Sequence, residues 1–552
     1  MDNTRFILVL VLGVLGLMLY DAWQTDYGSA PEPVSEPSAG PSGGNAAAGD
    51  VPIAVAGDLP DVGVPGAPEA PGGAVAEAPS AGTGTVLESD TLRLDIAPTG
   101  ATIVRAELKA YPVDADTPNR PFVLLTNNAD RVFIAESGLI GNDVSVGHQV
   151  PFRARAPRYV LGPDDDAVTA YFDARVGDLE VTKTVTLQRG SYQVEIGYDI
   201  ENLGASPFVA RPYQQLKRTR ESGREGFIYT FTGAALSTPD NHYKKYSFGD
   251  LEDTDINVTT EEGWVAFIQH YFLAAIVPDD AAPRRYYSEA ISDDLFAVGT
   301  VGVPSTVPSG GRAELTERLF VGPKLQDRLG EIAPHLDLAV DYGWVWFIAK
   351  PLFWFLDKIH SVTGNWGVAI VLVTVCLKAA LFPLSAAGYR SMANMRKLHP
   401  RLTALKERYG DDRQKLNQAM MDLYKKEKVN PLGGCFPILI QIPVFLSLYW
   451  VLLESVELRQ ASFALWIDDL SSKDPFFVLP LIMGLSMWFQ QRLNPTPLDP
   501  MQQRVMQIMP IAMTGFFAFF PAGLVLYWVV NNVLSIAQQW YITRQIEGGA
   551  GT

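Results

Sequence analysis

Cysteine is almost missing from this chain of 552 residues, with two only, Cys376 and Cys435, both in or beside apolar runs. The large polar region has none, which excludes a disulfide framework there. The six histidines are scattered, without the ligand spacing of a metal cluster. No GxxxxGK cradles a phosphate, and no nucleophile–base pair stands out. Catalytic residues, metals and cofactors are therefore not expected. A net charge of −17 speaks against a DNA-binding role.

The charge is not evenly spread. Residues 390–430 hold eleven bases and five acids, a net +6, so the remainder carries −23. Lys and Arg gathered in one loop between apolar runs mark that loop as cytoplasmic. Lys and Arg are absent from about 27 to 86, a stretch rich in Pro, Ala and Gly. Without apolar periodicity to offset the entropy of ordering, it is expected to be a disordered tether.

Ahead of the tether, "FILVLVLGVLGLMLYDAW" (6–23) follows Arg5. With no clear small-residue cleavage site, residues 1–26 read as a membrane anchor with the N-terminus inside, rather than a cleaved signal. From about 87 to 325 the pattern has period two: "TLRLDI" alternates Leu92, Leu94 and Ile96, and "VTKTVTLQRGSYQVEIGYDI" turns at Arg189–Gly190. Many short strands without helical patterns between them predict an exported antiparallel β-sandwich.

Residues 326–365 form a connection ending in an aromatic segment, "YGWVWFIAKPLFWFLDKIHSVTGNWG" (342–367). Lys350, Asp357, Lys358 and His360 interrupt it too often for a span, so an amphipathic helix on the outer membrane surface is predicted. The stretch 366–545 then reads as a core of five spans. They run over about 366–387, over 435–456, over 476–493 and, broken by "FPAG" (520–523), as two short spans within 507–540. With the anchor this makes an α-helical polytopic membrane protein of six transmembrane helices, both ends cytoplasmic, closing with a short tail at 546–552. In the basic segment Met392, Met395, Leu398, Leu402 and Leu405 recur at helical spacing, as do Leu416, Met420 and Leu423, so a cytoplasmic helical hairpin is expected over 390–430. A solvated stalk is one reading. The other is docking to ribosomal RNA or anionic lipid through Arg396, Lys397, Arg401, Lys406, Arg408, Arg413 and Lys415.

One lysine, Lys378, lies inside the apolar run "VLVTVCLKAALFPL" (371–384). A charge at that depth costs roughly 2.5–3.5 kcal/mol on insertion scales. Thr374 shares its face one turn earlier, Gln441 offers a polar group before Pro443, and Trp528, Asn531, Asn532 and Ser535 recur at steps of three and four. These seven are the candidate lining of a water-accessible concavity; helix–helix hydrogen bonding or snorkelling of the lysine is the plainer alternative. No acid sits mid-span, and Glu454 lies near a helix end, which argues against a proton relay or cation-coupled transporter.

Several long stretches resemble one family. "KVNPLGGCFPILIQIPVF" (428–445), "SVELRQASFALWIDDLS" (455–471), "DPMQQRVMQIMP" (499–510), "FPAGLVLYWVV" (520–530), "HLDLAVDYGWVWFI" (335–348) and "LKAALFPLSAAGYRSMANMRKLHP" (377–400) are similar to the YidC-type membrane protein insertases of Gram-negative bacteria. "GAALSTPD" (233–240) and "GWVAFIQHYF" (263–272) carry the likeness more loosely into the exported part. The resemblance implies five core crossings around a hydrophilic groove, open to cytoplasm and lipid and closed outside, and a periplasmic β-supersandwich. It implies insertion and folding of nascent membrane proteins in the bacterial inner membrane, alone or with the Sec translocon and its accessory subunits, with the ribosome and lipids as further partners. The chain departs from the family twice. Lys378 stands where arginine is frequent, which loses bidentate pairing with a carboxylate. It also ends soon after Arg544, leaving ribosome contact to the hairpin and to 492–504. A solute transporter, an anchored carbohydrate-active enzyme and a purely structural translocon partner are the rival expectations.

Overall fold

The computed structural model describes residues 84–142, 144–220, 230–278, 282–409, 412–427, 436–493 and 500–548. The expected anchor and nearly all of the tether lie outside these residues, as do the tail beyond 548 and residues 494–499 of the 492–504 loop.

The β region is two packed sheets of eleven and nine strands. In the larger, the long strand Phe208–Thr219 lies between Val132–Gly141 and Leu295–Val301. In the smaller, Leu179–Gln188 and Gln193–Asn202 form the hairpin expected at Arg189–Gly190, with Leu187 opposite Val194. Alternation explains both. Leu179, Val181, Val185 and Leu187 point inward while their neighbours face out, and the facing layers interlock, as where Phe133 meets Phe267 edge to face at 6.0 Å. Among the described residues the sandwich departs from the antiparallel expectation at one place. Thr85–Glu88 pairs in parallel with Arg158–Val160, a three-residue strand too short to show a period.

Lys183 occupies an inward position of that alternating strand. It donates to the carbonyls of Gly100 at 2.8 Å and Ser137 at 3.2 Å. Burial lowers its pKa to about 7, and the charge of Glu136 opposes that shift. With two carbonyls accepting and the Tyr198 ring 5.6 Å away, the ammonium is tolerable in the core.

Beyond the sandwich the chain is helical. Helix α1 (Phe248–Asp253) belongs to the sandwich, and α2 (Gln326–Ile332) follows its last strand. Helix α3 (Trp346–Thr363) is amphipathic as expected: Ala349, Leu352, Phe353 and Leu356 are buried, whereas Trp346, Phe347 and Trp354 stand exposed. It stops at Gly364, which adopts the left-handed conformation (φ 65°). The Asn365 side chain then caps α4 (Trp366–Ala380) by accepting from Val368 N at 3.0 Å.

The second span was expected to run unbroken over 366–387. Instead α4 ends at Ala380 and α5 (Phe382–Tyr409) leaves at 66° to it. Pro383 explains the break, because its ring has no N–H to give the Ala379 carbonyl one turn back and crowds that carbonyl, while a first helical turn tolerates it. The remaining helices are α6 (Arg413–Lys426), α7 (Phe436–Glu454), α8 (Val478–Leu493), α9 (Pro500–Phe517) and α10 (Ala522–Gly548). The "FPAG" break separates α9 from α10 as expected. Helices α5 and α6 form the basic hairpin, with Leu398 and Leu402 buried and Asp412 capping α6 through Lys415 N at 3.1 Å.

Among the described residues no single helix is both long and apolar enough to cross a membrane by itself; the bent α4–α5 pair passes that test together. The helices nevertheless turn large apolar side chains outward, among them Leu481, Leu485 and Phe489 of α8 and Ile508 and Ile511 of α9. A row of exposed apolar residues on neighbouring helices calls for a non-aqueous surrounding or a partner.

Candidate functional site

Helix α4 delivers Lys378 in its last turn, where the partial negative charge of the helix end favours a cation. Its Nζ donates to Ser535 Oγ at 2.8 Å and to Gln441 Oε1 at 3.3 Å. Gln441 Nε2 in turn donates to Asn531 Oδ1 at 2.5 Å. The Ser535 hydroxyl donates back to the Asn531 carbonyl at 2.7 Å, within α10. Four of the seven expected residues thus form one hydrogen-bonded chain joining α4, α7 and α10. Among the described residues no acid belongs to it, so each partner of the ammonium there is a neutral dipole.

The other three are placed differently. Thr374 is buried and donates to Ile370 O at 2.7 Å in its own helix, so it does not reach the chain. Asn532 turns to α8 and donates to Ser486 Oγ at 3.0 Å. Trp528 packs edge to face on Phe445 at 4.6 Å and beside Phe517 at 4.9 Å. The indole N–H is buried without a hydrogen-bond partner among the described residues. The α10 stripe is therefore split between two neighbouring helices, because residues 531 and 532 point about 100° apart around the axis.

Further polar groups complete the arrangement. Gln538 Nε2 donates to the Lys378 carbonyl at 3.3 Å, relieving one unpaired C=O of the α4 end. Gln539 Nε2 donates to Leu493 O at 3.1 Å. The signal for Gln538 and Gln539 was the same three- and four-residue step continued past Ser535. On α7, Ser447 Oγ donates to the Pro443 carbonyl at 2.8 Å, next to the turn where proline interrupts the ladder.

Beyond α7, residues 455–477 fold over the starts of α4 and α10. Ala522 N donates to Ser472 O at 2.7 Å and Gly523 N to Leu470 O at 2.9 Å, which satisfies two orphan donors of α10. Asn365 Nδ2 donates to Phe463 O at 2.9 Å. Asp474 holds the far end, accepting from Trp466 Nε1 at 3.0 Å and from Leu479 N at 2.6 Å.

This segment also grips the sandwich. Arg459 lies over the rings of Phe122 and Phe272, and its Nη2 donates to Pro112 O at 2.7 Å and Val113 O at 3.0 Å. Trp264, 1% exposed, packs in an apolar cluster shared by sandwich and helices and donates to Pro334 O at 3.1 Å.

On the basic hairpin Lys397, Arg401, Lys406, Arg408 and Lys415 are exposed. Arg401 pairs with Glu427 at 2.6 Å and Lys415 with Asp412 at 3.0 Å. The side chains of Arg396 and Arg413 lie outside the described set. Among the described residues no group of three His, Cys, Asp or Glu is arranged to hold a metal ion.

An apolar-clad helix assembly carrying a β-sandwich fits a membrane protein with a large domain outside the lipid. Residues 358–549 match the family model "60Kd inner membrane protein" and residues 85–355 the model "YidC periplasmic domain". The chain belongs to the YidC family of membrane protein insertases. It is 49% identical to the membrane protein insertase YidC of Methylococcus capsulatus over 99% of both chains. It is 46% identical to that of Stutzerimonas stutzeri over the full length of both. A crystal structure described as an active YidC insertase with its first transmembrane domain resolved aligns over 82% of this chain and 91% of its own, at 19% identity and a TM-score of 0.39.

Proposed function

We propose that this chain inserts and helps fold nascent inner-membrane proteins, with the Lys378–Gln441–Asn531–Ser535 chain as its working surface. The carrying observation is a lysine held by neutral dipoles alone inside an apolar-clad helix assembly. A fixed cation with no acid of its own keeps its attraction for an acid that arrives from elsewhere. Its three helices are roofed by 455–477, which supports a surface closed on the exported side and approached from the cytoplasm and from lipid.

In this reading a nascent apolar segment reaches the membrane with its polar flank still on the cytoplasmic side. Polar side chains of α4, α7 and α10 replace hydrocarbon for that flank, and Lys378 transiently attracts its acidic residues. Burial of the apolar segment in lipid then drives release. At about 0.3–0.6 kcal/mol per strongly apolar residue, twenty residues outweigh one or two charges without nucleotide. Six crossings, with both termini cytoplasmic and the sandwich in the periplasm, belong to the same proposal, as do the Sec translocon, lipids and the ribosome as partners. The exposed bases of the α5–α6 hairpin are the candidate ribosome and lipid contacts.

Reconstitution tests this directly. The purified full chain in liposomes, without nucleotide, is expected to insert a short single-span substrate; a strict requirement for ATP hydrolysis would reject the mechanism. Deleting residues 100–300 separates it from an anchored carbohydrate-active enzyme, since insertion is expected to survive largely and such an enzyme would not. A substrate-dependent ion flux would favour the transporter, and no insertion by the chain alone a purely structural role.

A further inference from the structure

Lys324 and Glu454 are 130 residues apart in sequence, yet their side chains are shut away together, 3% and 7% exposed. Lys324 follows the last sandwich strand, Arg312–Pro323, and Glu454 is the last residue of α7. The ammonium donates to Glu454 Oε2 at 3.1 Å and to Ala339 O at 3.3 Å. Beside it, His270 Nε2 lies 2.9 Å from the Leu453 carbonyl.

As a source of stability such a pair is poor, because desolvating two charges costs about what their attraction returns. An apolar pair would fill the space as well. The joint is also held without it, by the Arg459 grip and by the apolar cluster around Trp264. What the pair adds is directional, since few placements of α7 satisfy both charges at once. Gln441 lies thirteen residues, about 20 Å, up the same helix. It is the residue that links Lys378 to Asn531.

We infer that Lys324 and Glu454 are positioning residues, setting the height and rotation of α7 so that Gln441 meets Lys378 and Asn531. This rests on the polar chain being the insertase's working surface. It differs from a purely mechanical bond in what its loss should change: presentation of α7 to the substrate, with the sandwich still attached.

The test uses the full chain in liposomes with photo-crosslinkers at Ile442 of α7, the residue after Gln441, and, separately, Val533 of α10, both exposed. In Lys324→Met/Glu454→Met, which leaves no lone buried charge, thermal unfolding is expected to stay near wild type. Crosslinking of a stalled nascent chain from 442 is expected to fall about fivefold, corresponding to about 1 kcal/mol, while that from 533 holds. The reversed pair Lys324→Glu/Glu454→Lys should regain part of the 442 signal. An unchanged 442 signal, an equal fall at both positions, or a reversed pair no better than Met/Met overturns the inference. Failure of the wild-type chain to insert any substrate would instead sink the functional reading.

Discussion

Lys378 reaches Ser535 across 157 residues of sequence, its Nζ donating to the serine hydroxyl at 2.8 Å. The serine hydroxyl already donates its hydrogen bond to the Asn531 backbone carbonyl, so it meets the ammonium with lone pairs only. The cation is thus solvated by the protein and left unneutralised. Arginine at 378 is expected to retain insertion, and alanine to lower it mildly because Gln441, Asn531 and Ser535 remain polar. Lys378→Glu reverses the attraction and should slow substrates with acidic exported tails about tenfold, corresponding to 1.36 kcal/mol, with little effect on basic tails. Rates measured on matched acidic- and basic-tailed substrates check this, and equal slowing of both would refute the electrostatic role.

Gln441 is the middle link, accepting from Lys378 and donating to Asn531. Gln441→Leu removes both bonds and leaves Asn531 Oδ1 without that donor, a loss of about 1–3 kcal/mol. Asn531→Leu removes only the second bond and should cost less. Unfolding of the detergent-solubilised chain, followed for both variants, reports the order; a larger loss for Asn531→Leu would mean that Gln441 is not the hub.

The polar chain was readable because each member is a polar residue inside an apolar run, where lipid offers no partner. Its partition was not. Asn531 and Asn532 are adjacent in the same stripe, and only the position of α8 decides that Asn532 bonds Ser486 instead. The end of α4 was written in Pro383, but the continuous apolar run around it outweighed that signal, so Lys378 was placed within a long span rather than in a last helical turn. The sandwich showed itself through alternation, and its one parallel pairing escaped because three residues carry no period. The Lys324–Glu454 pair left no local trace, since its partners lie 130 residues apart in the sequence.

Glu457 carries a pH dependence into the joint. Burial raises its pKa to about 7, and the nearby acids Asp327 and Asp357 push the same way. Its Oε1 accepts from Gln326 N at 3.4 Å, while Oε2 is buried without a hydrogen bond among the described residues. Tyr111, Arg328 and Arg459 share the surroundings. Between the ordinary carboxylate value of 4.5 and about 7, the folded chain holds a proton that the unfolded chain has released. This contribution therefore weakens the fold as pH rises through that window, and the loss is complete above it. Melting temperatures of the full chain at about pH 5 and about pH 8 should differ in that sense. Glu457→Gln should flatten the difference, and an undiminished slope in that variant would assign the dependence to another group.

Gly367 tests the roof. It lies in the first turn of α4, where alanine would ordinarily gain about 1 kcal/mol in helix propensity. A Cβ there would come within 2.0 Å of the Phe463 ring and 2.7 Å of its Cβ, so moving the ring tip alone cannot relieve the clash. Phe463 is also held through its backbone, by Asn365 Nδ2 at its carbonyl and by the Ile467 carbonyl at its N–H. Overpacking of this kind costs about 1–3 kcal/mol, which exceeds the propensity gain, so Gly367→Ala is expected to destabilise the chain. The displaced 455–477 segment should also admit a membrane-impermeant thiol reagent from the exported side to a cysteine placed at Thr374, a residue only 1% exposed. Labelling of that cysteine in the Gly367→Ala background but not in its absence would identify the segment as the outer seal. Equal labelling in both would show that closure does not depend on Phe463.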